Sequence, residues 1–241
     1  MTPLADLLTG VARGEHVPAD GGWHRVPQWR PDVEAVIALT GHAVLAVGDD
    51  VSDESLERLG VDGYGGACAP QVLTALAGRD GWIDSLDVLL AAHPPSARSA
   101  GDLVPRPDLA EHPRVQFARA IRTDVQVFGS VDPSCRDLVT ISRGIAGLPE
   151  LSFEIEPTRR GRTEARTLLR SALELVAGTD MVLAASAPGN AASLRALLGA
   201  GFRPLGSVQL LRPARPSRDA QTEPQRSGGQ HEKQRHGEQS E

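Results

Sequence analysis

Between Leu151 and Val176 the hydrophobic pattern changes its period, and that change constrains the fold more than any other feature of the chain. Leu151, Phe153 and Ile155 alternate with Ser152, Glu154 and Glu156, the period of two expected of a strand with one buried face. Beyond Gly161 the apolar positions Ala165, Leu168, Leu169, Ala172 and Val176 recur at helical spacing, and Gly178 stops the run. A strand that feeds an amphipathic helix commits the chain to a sheet with helices laid against it.

The neighbouring segments extend this pattern. Val115 to Phe128 and Leu138 to Ile145 read as two strands before the one at Leu151, with turn residues between them. Met181 to Ser186 reads as a short buried strand. Asn190 is a cap for a helix carrying Leu194, Leu197 and Leu198 that closes at Gly201, and Val208 to Leu211 makes a last strand. The second half is therefore predicted as three strands, helix, strand, helix, strand. In the first half, Ala35 to Val47 reads as strand broken at Gly41. Ser52 caps a short helix to Leu59, and Pro70 opens a second one ended by Gly78. Trp82 to Leu90 fits strand and helix equally, and Pro94 to Pro107 reads as a long loop between two halves of one sheet or as a boundary between lobes.

Composition narrows the function classes. The net charge of −6 lacks the basic footprint that phosphate backbones demand, which argues against nucleic acid as a partner. No apolar run is long enough to span a membrane, and Met1 to Gly10 does not read as a signal peptide, so cytoplasm is the expected location. Cys68 and Cys135 are too few for a four-ligand zinc site and have no histidine partner by spacing. No metal is expected. His42, His93 and His112 read as structural. From Pro213 to Glu241 the chain has no large apolar residue and balanced charges, which predicts a disordered tail.

Glu156 to Arg166, EPTRRGRTEAR, places Arg159, Arg160, Arg162 and Arg166 at a helix N-terminus. Cations there oppose the helix dipole, and an anion bound on the free amides reverses the sign. The two readings of the cluster are a phosphate site and a solvated basic turn.

Arg160-Gly161-Arg162-Thr163-Glu164-Ala165, following a strand, resembles the Arg/Gln-x-x-Gly-x-Gly/Ala loop of the GNAT superfamily of acyl-CoA-dependent N-acetyltransferases. About 30 residues on, the segment led by Asn190 and closing on Gly201-Phe202 is similar to that family's second signature. The resemblance covers 114–211 well and 1–110 only by element order. It implies an α/β (α+β) fold, with a mixed, mostly antiparallel central sheet, a splayed fourth and fifth strand pair and flanking helices. It further implies one domain over 1–212.

The resemblance also implies roles. The loop from Arg160 through Gly161, Arg162, Thr163 and Glu164 to Ala165 would hold the pyrophosphate of acetyl-CoA. Phe153 and Ile155 on the splayed strand would pair with its pantetheine arm, and Asn190 would hydrogen-bond it where it leaves the splay. Asn190 is equally well explained as a helix cap. Two departures stand out: Thr163 replaces a glycine, and Leu197 occupies the position of a tyrosine that often protonates the leaving thiolate.

Acetyl transfer to an amine needs a base, a polarised carbonyl and a proton for the sulfur. Glu150 and Glu154 are the candidate bases, each with a solvated strand residue as its alternative. Ser193 is the candidate donor to sulfur, with local capping as its alternative. The expected partners are acetyl-CoA and an unidentified amine acceptor, and a homodimer is compatible with the sequence. The expectation is acetyl transfer from acetyl-CoA to a primary amine. The alternatives are a degenerate domain that binds acyl-CoA as a sensor and a generic α/β protein holding some other phosphate.

Overall fold

Proline at the first turn opens three of the helices, where its fixed φ suits the helix and its missing N–H costs no bond. The computed structural model describes residues 2–97, 102–161 and 163–214. In chain order the first half contains α1 (Pro3–Ala12), β1 (Trp23–Val26), β2 (Glu34–Leu39) and β3 (His42–Ala46). It continues with α2 (Asp53–Arg58), α3 (Pro70–Ala77), β4 (Trp82–Ile83) and β5 (Asp87–Ala92). The second half contains β6 (Leu103–Pro105), α4 (Pro113–Ile121), β7 (Thr123–Ser130), β8 (Leu138–Arg143) and β9 (Pro149–Glu154). After these come α5 (Glu164–Leu175), β10 (Val182–Ser186), α6 (Ala191–Gly199) and β11 (Arg203–Arg212).

The strands join in the order β1-β3-β2-β11-β5-β10-β9-β8-β7-β6, with β4 on β11. Only β1–β3 and β9–β10 are parallel; the other pairs are antiparallel. This is the mixed, mostly antiparallel sheet with flanking helices that the resemblance implies. The two halves of the chain interleave in it, since β11 lies between β2 and β5, and β5 lies between β11 and β10.

Strand parity separates the two faces. Leu89, Ala91, Leu183 and Val208 pack with α1 and Ile121 of α4 on one side. Leu90, Ala92, Leu151, Val182 and Ala184 pack with Leu168, Leu169, Ala172 and Leu197 of α5 and α6 on the other. Helices α2 and α3 cover Val36, Leu45 and Leu211 in a third cluster.

One predicted strand is corrected. Val115 to Ile121 is helical, and the strand expected over Val115 to Phe128 begins only at Thr123. The reason is local: the His112 ring accepts from the Arg114 amide, Pro113 sets the first turn, and Val115, Ala118 and Ile121 form a buried stripe. The expected loop from Pro94 contains β6, the ambiguous Trp82–Leu90 segment divides between β4 and β5, and α1 and β1 had no counterpart in the sequence reading. Beyond Ala214 the expected tail lies outside the described residues.

Candidate functional site

Strands β9 and β10 pair at one register position, Leu183 with Glu150, and separate beyond it. A cleft of about 210 Å³ occupies the gap. Leu151, Ser152 and Phe153 of β9 form one wall, and Ala184 to Ala187 at the end of β10 form the other. Asn190, Ser193 and Leu197 of α6 reach it from one face of the sheet, and Arg114 and Phe117 of α4 from the other. The cleft thus passes through the sheet.

Of the strand residues named from sequence, Phe153 lines the cleft, whereas Ile155, just beyond β9, is buried in the core against α5. Glu154 lies on the opposite side of the strand from Phe153, as parity requires, between Arg160 and Arg114 with N–O separations of 3.5 and 3.6 Å. Glu150 is buried. One of its carboxylate oxygens lies 2.5 Å from Arg122 Nη2 and the other accepts the Ile145 amide at 3.0 Å, so both are engaged. Neither glutamate stands as an unengaged base.

The basic turn follows directly. Arg160 donates from Nε to the Ile155 carbonyl at 3.0 Å, and Gly161 takes a φ of +79°, a conformation that suits glycine. Thr163 occupies the cap position of α5 in helical geometry without a side-chain cap bond. Arg162 lies outside the described residues. Glu164 and Ala165 begin α5, where first-turn amides have no intrahelical acceptor. The Glu164 Oε2 is buried and accepts no hydrogen bond among the described residues, so this carboxylate competes with any anion for the positive helix end. Asn190 caps α6 by accepting the Ser193 amide at 3.1 Å, while both residues also line the cleft. Leu197, where the resemblance leads one to expect a tyrosine, is 1% exposed.

The groups that sequence reasoning missed come from the first half of the chain. Asp84, Ser85 and Asp87, between β4 and the start of β5, line the cleft. Antiparallel pairing of Val88 with Ser186 carries Asp87 to the end of β10, beside the point where the strands part. Burial pushes the Asp87 carboxyl up to about 6, and the charges of Asp84 and Glu150 add to this against the Ser85 hydroxyl and Arg122. Burial also raises Asp84, partly offset by the Ser85 amide and Arg122. Nothing local in the segment DSLD marks it, since only the sheet order brings it to the splay.

A smaller recess of about 20 Å³ continues from the cleft on the α4 face, between Asp84, Asp87, Phe117, Arg122 and Glu150. Arg122 is buried there, and its Nε and Nη1 make no hydrogen bond among the described residues.

Other candidates are accounted for structurally. His42 bridges Asp20 and His24 at 2.8 Å each, His93 contacts the Asp180 and Ala12 carbonyls, and His112 caps α4. Cys135, Asp137 and Glu156 bring one ligand atom each within 4.8 Å of one another. Asp137, however, already accepts from Arg159 Nε at 2.7 Å and from the Glu156 amide at 2.8 Å. Among the described residues no helix is long and apolar enough to cross a membrane.

No protein-family model matches the chain. No curated protein matches it either. Solved structures do. One from Novosphingobium aromaticivorans, described as belonging to the GNAT family, gives a TM-score of 0.40 at 20% identity over 56% of this chain and 68% of that one. A GNAT-family acetyltransferase from Colwellia psychrerythraea gives 0.36 at 12% identity, over 54% and 56%. A GCN5-related N-acetyltransferase from Kribbella flavida gives 0.36 at 12%, over 60% and 63%. The matched part thus spans less than two thirds of the latter two chains.

Proposed function

We propose that the chain is a GNAT-type acyltransferase that moves an acetyl group from acetyl-CoA directly to a primary amine of a small molecule or peptide. The observation that carries this reading is the single-position pairing of β9 and β10, which opens a cleft through the sheet lined by Phe153 and Asn190. The two sequence motifs resembling that family lie at the two ends of this arrangement: the turn from Arg160 to Ala165 follows β9, and Asn190 stands at the cleft.

Acetyl-CoA supplies an acyl thioester, an electrophile that reacts with a neutral amine. Amides at the start of α5, with Arg160 beside them, would hold its pyrophosphate. The unpaired backbone around Phe153 would take the pantetheine arm as a strand takes a partner, and the Asn190 side chain would exchange its cap bond for one to that arm. The residues present fit this role because the splay leaves strand backbone open to the cleft. Ser193, among the serines that line the cleft, would donate to the leaving sulfur. No metal is invoked, and the folded unit would extend over 1–212 as one cytoplasmic domain, separate from membrane and nucleic acid.

The buried Leu197 and the engaged states of Glu150 and Glu154 favour a second reading, a domain that binds acyl-CoA as a sensor or interaction module without turnover. Isothermal titration with acetyl-CoA tests both readings, since absence of binding removes them together. Thiol release across a panel of amines then separates them: turnover identifies the enzyme, and tight binding with no turnover identifies the sensor.

A further inference from the structure

The α4 face of the splay carries an arrangement to which the acetyl-CoA reading assigns no role. Asp87 opens β5 and Asp84 lies in the segment just before it, and the place of β5 in the sheet, between β10 and β11, sets both at the mouth of the cleft. Two carboxylates at a cavity suit a cation. They do not stand alone, because Arg122, whose side chain is 7% exposed, lines the adjoining recess. Its Nη2 serves Glu150, while Nε and Nη1 are buried with no hydrogen-bonding partner among the described residues. Buried donors of this kind are costly unless an oxygen meets them. A recess of about 20 Å³ has room for little more than one water-sized group, such as a single ligand oxygen. The main cleft, at about 210 Å³, suits a compact molecule. Phe117 adds an apolar wall shared by both cavities, itself packed edge-on against Trp82 with ring centroids 6.4 Å apart.

Building on the acetyl-CoA reading above, we propose that the acceptor is a small amino acid, with its ammonium at Asp84 and Asp87 and a carboxylate oxygen at Arg122, and that Asp87 takes the proton of the amine. The balance of the step is simple. The ammonium gives one proton to Asp87, and the nitrogen lone pair forms the new C–N bond to the thioester carbonyl carbon. The C–S bond breaks with its electron pair on sulfur. The second proton passes from the acylated nitrogen to the thiolate, giving an N-acetyl amino acid and a free thiol, and Asp87 returns its proton to water. The groups facing Asp87 are Asp84 from its own segment, Glu150 from β9 and Arg122 from the end of α4. Their charges set the balance in which an aspartate titrates near the working pH of a base.

The test uses the full chain and paired acceptors: alanine against ethylamine, and leucine against isoamylamine, each pair differing by the carboxylate alone. Thiol release with acetyl-CoA should give kcat/KM about tenfold or more higher for the amino acid of each pair. Equal or better use of the simple amines, or turnover with neither, overturns the assignment. Asp87→Asn should keep acetyl-CoA affinity within about twofold by calorimetry while lowering kcat about a hundredfold. It should also abolish the rise in rate that the native protein shows as pH passes about 6. Native kcat and an unchanged pH limb in Asp87→Asn overturn the role of Asp87 alone. Failure of the native protein to bind acetyl-CoA instead removes the acetyl-CoA reading beneath it, so the two failures are distinguishable.

Discussion

The Arg122 guanidinium and the Glu150 carboxylate stand 2.5 Å apart with side chains 7% and 2% exposed, pinning the end of α4 to β9 at the point where the sheet opens. Breaking such a pair from one side strands a buried charge, a loss of about 3–5 kcal/mol. Arg122→Leu should therefore lower stability by about that amount in urea unfolding. Arg122→Leu with Glu150→Gln should recover most of it, since the glutamine amide oxygen still accepts the Ile145 amide.

Gly144 lies against the same carboxylate. A Cβ at this position would meet Glu150 Oε2 at 1.8 Å and its Cδ at 2.7 Å. Because Glu150 is held by both Arg122 and Ile145, it has no low-cost way to move, and Gly144→Ala should cost about 1–3 kcal/mol by overpacking. Gly189→Ala, with nothing within 4 Å of its Cβ, should leave the denaturation midpoint nearly unchanged.

Asp87 gives a pH-dependent stability of definite sign. Its carboxyl is raised from 3.8 to about 6 in the folded chain, so folding favours the protonated form. Below 3.8 the group is neutral in both states and costs nothing. As pH rises towards 6 the unfolded chain ionises first, so this residue's destabilising effect grows through that window and is constant above it. Asp87→Asn should accordingly raise Tm at neutral pH, with the difference from the native protein vanishing in acid. A pH-independent difference would contradict the burial argument.

Arg160 tests the placement of the pyrophosphate. Its guanidinium is anchored on the Ile155 carbonyl and lies 3.5 Å from Glu154, four positions before α5 begins at Glu164. Arg160→Glu reverses the charge at the proposed anion site and sets it beside an existing carboxylate. Acetyl-CoA affinity should fall about tenfold or more, roughly 1.4 kcal/mol, by calorimetry. An unchanged dissociation constant would exclude this position from the phosphate site.

Local chemistry explains which elements were legible. Ser52 and Asn190 accept the expected cap bonds, Gly78 closes α3, and the stripe from Leu168 to Leu173 faces the core as its spacing requires. The same chemistry was present at His112 and Pro113. There Val115 to Ile121 was nonetheless read as part of a strand, although its buried stripe of Val115, Ala118 and Ile121 has helical spacing. Among the site residues, Phe153, Asn190 and Ser193 come together at the cleft. Ile155 turns into the core and Glu150 into an ion pair.

The sequence alone determined the strand–turn–helix unit from Leu151 to Val176 and the capped helix at Asn190, because capping, periodicity and turn chemistry act over a few residues. The resemblance implies a splayed strand pair, but only the tertiary structure decided that its single contact is Leu183 with Glu150, and that a strand from the first half of the chain enters the sheet next to it. Sheet order is set by long-range pairing, which leaves no local mark on the residues it brings together. Asp84 and Asp87 therefore read as ordinary acidic residues in sequence. Burial beside Arg122 and Glu150, 35 to 66 positions further along the chain, gives them their unusual chemistry.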